Sequence, residues 1–156
     1  MARIAKTEAA LLSELRGLIE QARQHVAQTA NSTLTMLYWH VGRRIQAQVL
    51  HDGRADYGAQ ILATLSQELV RDYGKGFNAS ALTRMVKFAE VFPDEPILAT
   101  LSQELSWSHF VELLPLKQPL EREYYAEMSR IERWSVRTLR ERIGSQLYLR
   151  TALSKK

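Results

Sequence analysis

ILATLSQELVRDYGKGFNASALTRMVKFAEVFP, residues 61–93, contains two helix patterns separated by a glycine-flanked turn. Ile61, Leu62, Leu65 and Leu69 recur at helical spacing, and Gly74 stands where a helix would close. After the loop GKGFN, Asn78 has the chemistry of an N-cap. Leu82, Met85, Val86 and Ala89 then repeat the 3.6-residue period until Pro93, which cannot continue a helix.

The same period extends in both directions. Upstream, Leu11, Leu15, Leu18, Ala22 and Val26, widened by Leu12 and Ile19, predict an amphipathic helix from Thr7 to about Gln28. Asn31, Ser32 and Thr33 are capping residue types, after which Leu34, Leu37, Tyr38, Val41, Ile45 and Val49 resume the pattern up to the turn HDGRADYG. Two helices or one long kinked helix are expected there. Downstream, shorter helices are expected at about residues 97–105, 108–114, 120–131 and 136–152, punctuated by Pro115, Pro119 and a Ser135 cap. No segment alternates with period two, so the predicted fold class is all-α, a multi-helix bundle.

The nine residues ILATLSQEL at 61–69 recur identically at 97–105, with flanks that do not match, so no repeat array is implied. Both copies precede a turn and a second helix opened by a capping type, Asn78 in one case and Ser108 in the other. That outline is helix-turn-helix-like, and it would lay the second helix of a pair in a DNA groove. The candidate nucleic-acid contacts are Lys75, Asn78, Ser80, Thr83, Arg84 and Lys87 in the first pair. In the second they are Trp107, Ser108 and His109, with Ser106 before them. Most such outlines in helical proteins only pack, and on the residues alone packing is the favoured reading.

With 156 residues and 46% hydrophobic content the chain has room for one domain. There is no cysteine, which excludes disulfides and thiolate sites and fits a cytoplasmic setting. No apolar run approaches the roughly 18 residues of a membrane span. Net charge is +4 and the pI about 9.5. The basic excess is greatest in residues 97–156, with 10 basic against 7 acidic residues. There, Glu121, Glu123, Glu127 and Glu132 interleave with Arg122, Arg130 and Arg133 at spacings that allow pairing along a helix. Outside the turn motifs, Arg43 and Arg44 form the sharpest basic pair, although Asp52 or Asp56 could neutralise them. At helical spacing the aromatic residues are expected in the core, with Trp39 and Trp107 as possible exceptions.

The run LYWHVGRRI, then YG, LSQEL, YGKGFNASALTRM and a phenylalanine before a proline resembles the N-terminal domain of the YhcG-like family of bacterial PDDEXK nucleases. The likeness continues through LSWSHFVELLPLKQPLEREYYAEM and WSVRTLRERIGSQLYLRTALSKK. It implies a helical, DNA-binding N-terminal half joined to a metal-dependent nuclease half, the latter missing from a chain that ends at Lys156. No lysine has an acidic residue two positions before it, so the nuclease signature is not present, and no metal or cofactor is expected. The four histidines show no HExxH spacing; His109 and Glu112 would supply two metal ligands at most. Gly74-Lys75-Gly76 lacks the upstream glycine of a P-loop, and no GxSxG elbow occurs. The leading expectation is a non-catalytic DNA-binding or targeting domain with DNA as partner. The alternative is a protein-interaction or homodimerisation module built on the first helix, and a free-standing enzyme comes last.

Overall fold

The computed structural model describes residues 6–154, eight α-helices with no strand among them. The first helix, α1 (Lys6–Asp52), is unbroken, where two helices or a kinked one were expected. At about 1.5 Å per residue it is roughly 70 Å long. No proline interrupts it, and the capping types at 31–33 do not end it. Ser32 is instead engaged elsewhere, its hydroxyl lying 2.9 Å from that of Ser102. One turn earlier, the Gln28 amide donates to the Gln103 carbonyl. Gly53, at φ 74°, stops the helix in the left-handed region that favours glycine.

The second half of α1 packs on α3 (Ala79–Val91), and this crossing is the main joint of the fold. On α1 the buried positions are Thr35, Trp39, Gly42 and Ile45; on α3 they are Leu82, Met85, Phe88 and Ala89. The helix α2 (Tyr57–Tyr73) leans on the same joint through Leu62, Leu65 and Leu69, and a 3-10 turn at Lys75–Phe77 links it to α3.

A second, larger core joins α3 to the C-terminal helices α4 (Glu95–Leu101), α5 (Trp107–Leu113), α6 (Pro119–Ile131), α7 (Val136–Gly144) and α8 (Leu147–Ser154). Phe88 stands at its centre, with ring centroids 4.9 Å from Trp107, 5.1 Å from Phe110 and 5.6 Å from Phe92. Trp39 was a candidate for exposure but is 4% exposed, and its indole N–H donates to the Phe92 carbonyl at 2.8 Å. That bond meets the one polar demand of an otherwise apolar ring, which is why the core admits it. Trp107 is half-buried, between Phe88 and Tyr38.

Three boundaries differ from expectation. The helix begun at the second ILATLSQEL ends at Leu101, and Ser102 to Leu105 turn away. The cap of α5 is Ser106, not Ser108, because Ser106 and His109 form a reciprocal capping box. The last expected helix is two, α7 and α8, divided at Ser145 and Gln146, the latter at φ 57°.

Tyr125, fully buried, ties α6 to that division: its hydroxyl accepts from the Tyr148 N–H at 3.0 Å and donates toward the Arg142 carbonyl at 3.4 Å. Tyr125→Phe is expected to cost about 1–2 kcal/mol in urea unfolding, because the Tyr148 N–H loses its acceptor. Burial also pushes the Tyr125 phenol above its ordinary value. The folded state then keeps a proton that the unfolded chain releases, so this contribution is complete below about pH 10 and fades as the pH climbs further. The phenylalanine variant should lack that alkaline component.

Candidate nucleic-acid interface

With one face of α3 buried against α1, its helical period turns Ser80, Thr83, Arg84 and Lys87 to the outside, and all four are exposed. Asn78 begins the helix as its N-cap, the side-chain carbonyl accepting from the Ala81 N–H at 2.9 Å. Its amide N–H groups stay available to a partner. The Thr83 hydroxyl donates to the Ala79 carbonyl at 2.9 Å, which leaves the oxygen free to accept. Lys75 projects from the 3-10 turn just ahead of α3, also exposed.

A glycine that the sequence pattern did not single out sets how close α1 comes to this face. A Cβ built on Gly42 would lie 1.9 Å from the Met85 carbonyl oxygen and 2.4 Å from its carbon, so only a residue without a side chain fits. The signal was present as a glycine inside a strong helix pattern, HVGRR. Because Arg43 follows Gly42, while Arg84 and Lys87 flank Met85 and Val86, the Cα of Arg43 lies within roughly 14 Å of theirs. Arms of that length can converge on one phosphate backbone. Arg44, two residues past Gly42, falls on the opposite side of α1 and is not part of this grouping.

Ion pairing separates these cations from Arg54, Arg71, Arg130, Arg137 and Arg140, though not from Arg16, Arg23, Lys117, Arg122, Arg133, Arg142 and Arg150, which also lack a carboxylate within 4.0 Å among the described residues. Among the described residues, Arg43, Arg44, Lys75, Arg84 and Lys87 have no carboxylate within 4.0 Å. Asp52 is held by Arg54 at 2.7 Å, and that bond keeps its carboxyl below the usual range; Asp56 accepts from Gln60 at 3.0 Å. In the basic tail, Arg130 pairs with Glu127 at 2.7 Å, Arg140 with Glu112 at 2.7 Å and Arg137 with Glu141 at 3.5 Å. Arg122 is buried and donates to the Leu116 carbonyl, and burial holds its guanidinium below the ordinary arginine value. Lys155 and Lys156 lie outside the described residues. The one carboxylate on the outer side of α3 is Glu90, a turn beyond Lys87.

The second helix pair presents little. Trp107 packs inward, and both ring nitrogens of His109 are engaged: Nδ1 accepts from the Ser106 N–H at 3.1 Å and Nε2 donates to the Trp134 carbonyl at 2.8 Å. Of that trio only Ser108 is exposed. Among the described residues no helix is long and apolar enough to cross a membrane.

The Escherichia coli (strain K12) protein named "Putative nuclease YhcG" is 31% identical over 167 residues, an alignment covering 88% of this chain and 44% of that protein. The chain therefore spans less than half the length of this curated relative. No solved structure matches. The family described as the DUF1016 N-terminal domain matches residues 14–150, a stretch that begins within α1, takes in the α1–α3 joint and ends inside α8, and the chain accordingly belongs to that family.

Proposed function

We propose that this domain is a non-catalytic DNA-binding module that works in the cytoplasm and delivers a nuclease domain to its substrate. The observation that carries the reading is Arg84 and Lys87 on the outward face of an N-capped helix, with Lys75 in the turn ahead of it and Arg43 on the adjoining α1, all exposed and, among the described residues, without a carboxylate within 4.0 Å. Unpaired cations beside small hydroxyl and amide side chains are the chemistry that positions a protein on phosphates. The nuclease name of the relative supports the same direction. The turn between α2 and α3 is longer than in a tight helix-turn-helix, so the reading rests on the face of α3 and not on the turn. It is tested by titrating the domain into labelled duplex DNA at 50 and 200 mM salt. Binding that weakens steeply with salt is the expected result; binding indifferent to salt, or none at low salt, overturns the reading.

A second reading has its own observation. On the first half of α1, Leu11, Leu15, Leu18, Ile19 and Val26 are 46–67% exposed, a stripe that nothing within the described residues covers. Helical spacing puts it on the side of α1 away from Thr35, Trp39 and Gly42. Such a face suits pairing with a second copy. Sedimentation of the wild type is expected to show a dimer at micromolar concentration and that of Leu15→Glu/Leu18→Glu a monomer; a wild type that stays monomeric sinks the pairing.

A further inference from the structure

Arg122 is the one charged side chain buried among the described residues, 8% exposed, and no group of the chain answers its charge. Arginine is rarely buried without a carboxylate or phosphate beside it. Here Nη2 donates to a neutral acceptor, the Leu116 carbonyl, and Nε is sealed without a partner. Nη1 has no partner either, yet it is not sealed and keeps accessible surface. Among the described residues no carboxylate lies within 4.0 Å of this guanidinium. A buried charge left in this state is destabilising until an anion meets it.

Two clefts open onto the side chain. One, of about 370 Å³ between α4 and α6, is lined by three carboxylates, Asp94, Glu123 and Glu127, and repels an anion. The other, of about 700 Å³, lies between the end of α3 and the linker before α6, with Lys87 and Lys117 exposed at its edges. Leu116 lines only this second cleft, and its carbonyl holds Nη2, so the tip of Arg122 is on that side. Its three cations face two carboxylates, Glu90 and Glu123, which are exposed and pair with none of them. The amino end of α6 reinforces the positive field. Pro119 lines the same cleft, and Gln118 gives the helix no side-chain cap, so the amides of its first turn are left to an outside acceptor.

A guanidinium, an ammonium and an uncapped helix end together suit a phosphate. An internal phosphodiester is flanked by sugars on both sides, whereas a terminal phosphate carries about −1.5 to −2 charges at pH 7 and can enter a recess. Lys87 belongs both to this cleft and to the outward face of α3. We propose that the cleft takes the terminal phosphate of a DNA strand, held by Arg122 and Lys117, while the adjoining duplex lies on the α3 face. This rests on the DNA-binding reading of α3 and adds to it a preference for phosphorylated ends.

One short duplex made in three forms, with 5′-phosphates, with 3′-phosphates and with hydroxyls at every end, is titrated with the whole chain at fixed low salt and followed by fluorescence anisotropy. One phosphorylated form is expected to bind about tenfold tighter than the hydroxyl-ended form. Arg122→Met should abolish that ratio, and Lys117→Ala should reduce it about threefold. Exchanging an uncompensated buried charge for an apolar side chain should leave the urea midpoint of Arg122→Met little changed, which separates lost preference from lost fold. Should that variant unfold early, Lys117→Ala, a change at an exposed position, decides alone. Lys75→Ala/Arg84→Ala should weaken all three duplexes and keep the ratio. Equal binding of the three forms, or a ratio that survives the deciding variant, overturns the inference and leaves the α3 reading standing. No binding of any duplex overturns both. Inorganic phosphate that competes as well as the phosphorylated duplex assigns the cleft to a free anion and likewise overturns the inference.

Discussion

Gly42→Ala is expected to destabilise the protein by about 3 kcal/mol, because the added methyl has no room against the α3 backbone. The methyl would sit 1.9 Å from the Met85 carbonyl oxygen, and the atoms in its way are backbone, so relief requires α1 and α3 to move apart. Separation opens the joint that buries Ile45, Leu82 and Met85 and disturbs the packing around Phe88. A control is available on the same helix. Gly17 has nothing within 4 Å of a built Cβ and no need for flexibility, so Gly17→Ala should stabilise by about 0.5–1 kcal/mol through backbone entropy and helix propensity. Opposite signs for one substitution at two helical glycines, read in parallel urea titrations, would establish the crossing. Equal signs would mean that α1 and α3 do not approach as described.

The second large effect concerns salt. If Arg43, Lys75, Arg84 and Lys87 each meet a phosphate, duplex affinity should fall about 150-fold between 50 and 200 mM salt, from a slope near 0.9 per contact. Removing Lys75, Arg84 and Lys87 together should leave a fall of only about fourfold over the same range. Arg137 and Arg140 give the comparison, since each is paired, with Glu141 and Glu112 respectively, and both belong to the most basic third of the chain. Arg137→Ala/Arg140→Ala changes net charge by two and should hardly move the slope. A slope that tracks net charge regardless of position would dissolve the α3 face as a site.

What the sequence disclosed and what it concealed divide along the range of the interaction. Asn78, Ser135 and Pro93 act within one turn of themselves, and the helix limits they set are found where expected. Contacts between distant residues left no trace in the pattern: Gln28 with Gln103, Arg140 with Glu112, His109 with Trp134. The duplicated ILATLSQEL makes the division plain. At 61–69 all nine residues are helical inside α2, whereas at 97–105 the helix ends after five and Ser102 is buried against Ser32. The difference lies in the downstream residues, VRDY continuing one helix while Ser106 and His109 start another. For the candidate site, the outward residues of α3 were readable from its period, but which cations were already neutralised was not.

An unbroken α1 also has a mechanical consequence. Its last hydrogen bonds to the body among the described residues are at Ser32 and Gln28, and from Gln28 to Leu11 the helix extends about 26 Å, so a bend of about 5° at that point displaces Leu11 by about 2 Å. The exposed leucines thus ride on an arm whose root is the Gln28–Gln103 and Ser32–Ser102 contacts. A load on that arm reaches the turn after α4 before it reaches the α1–α3 joint at Gly42.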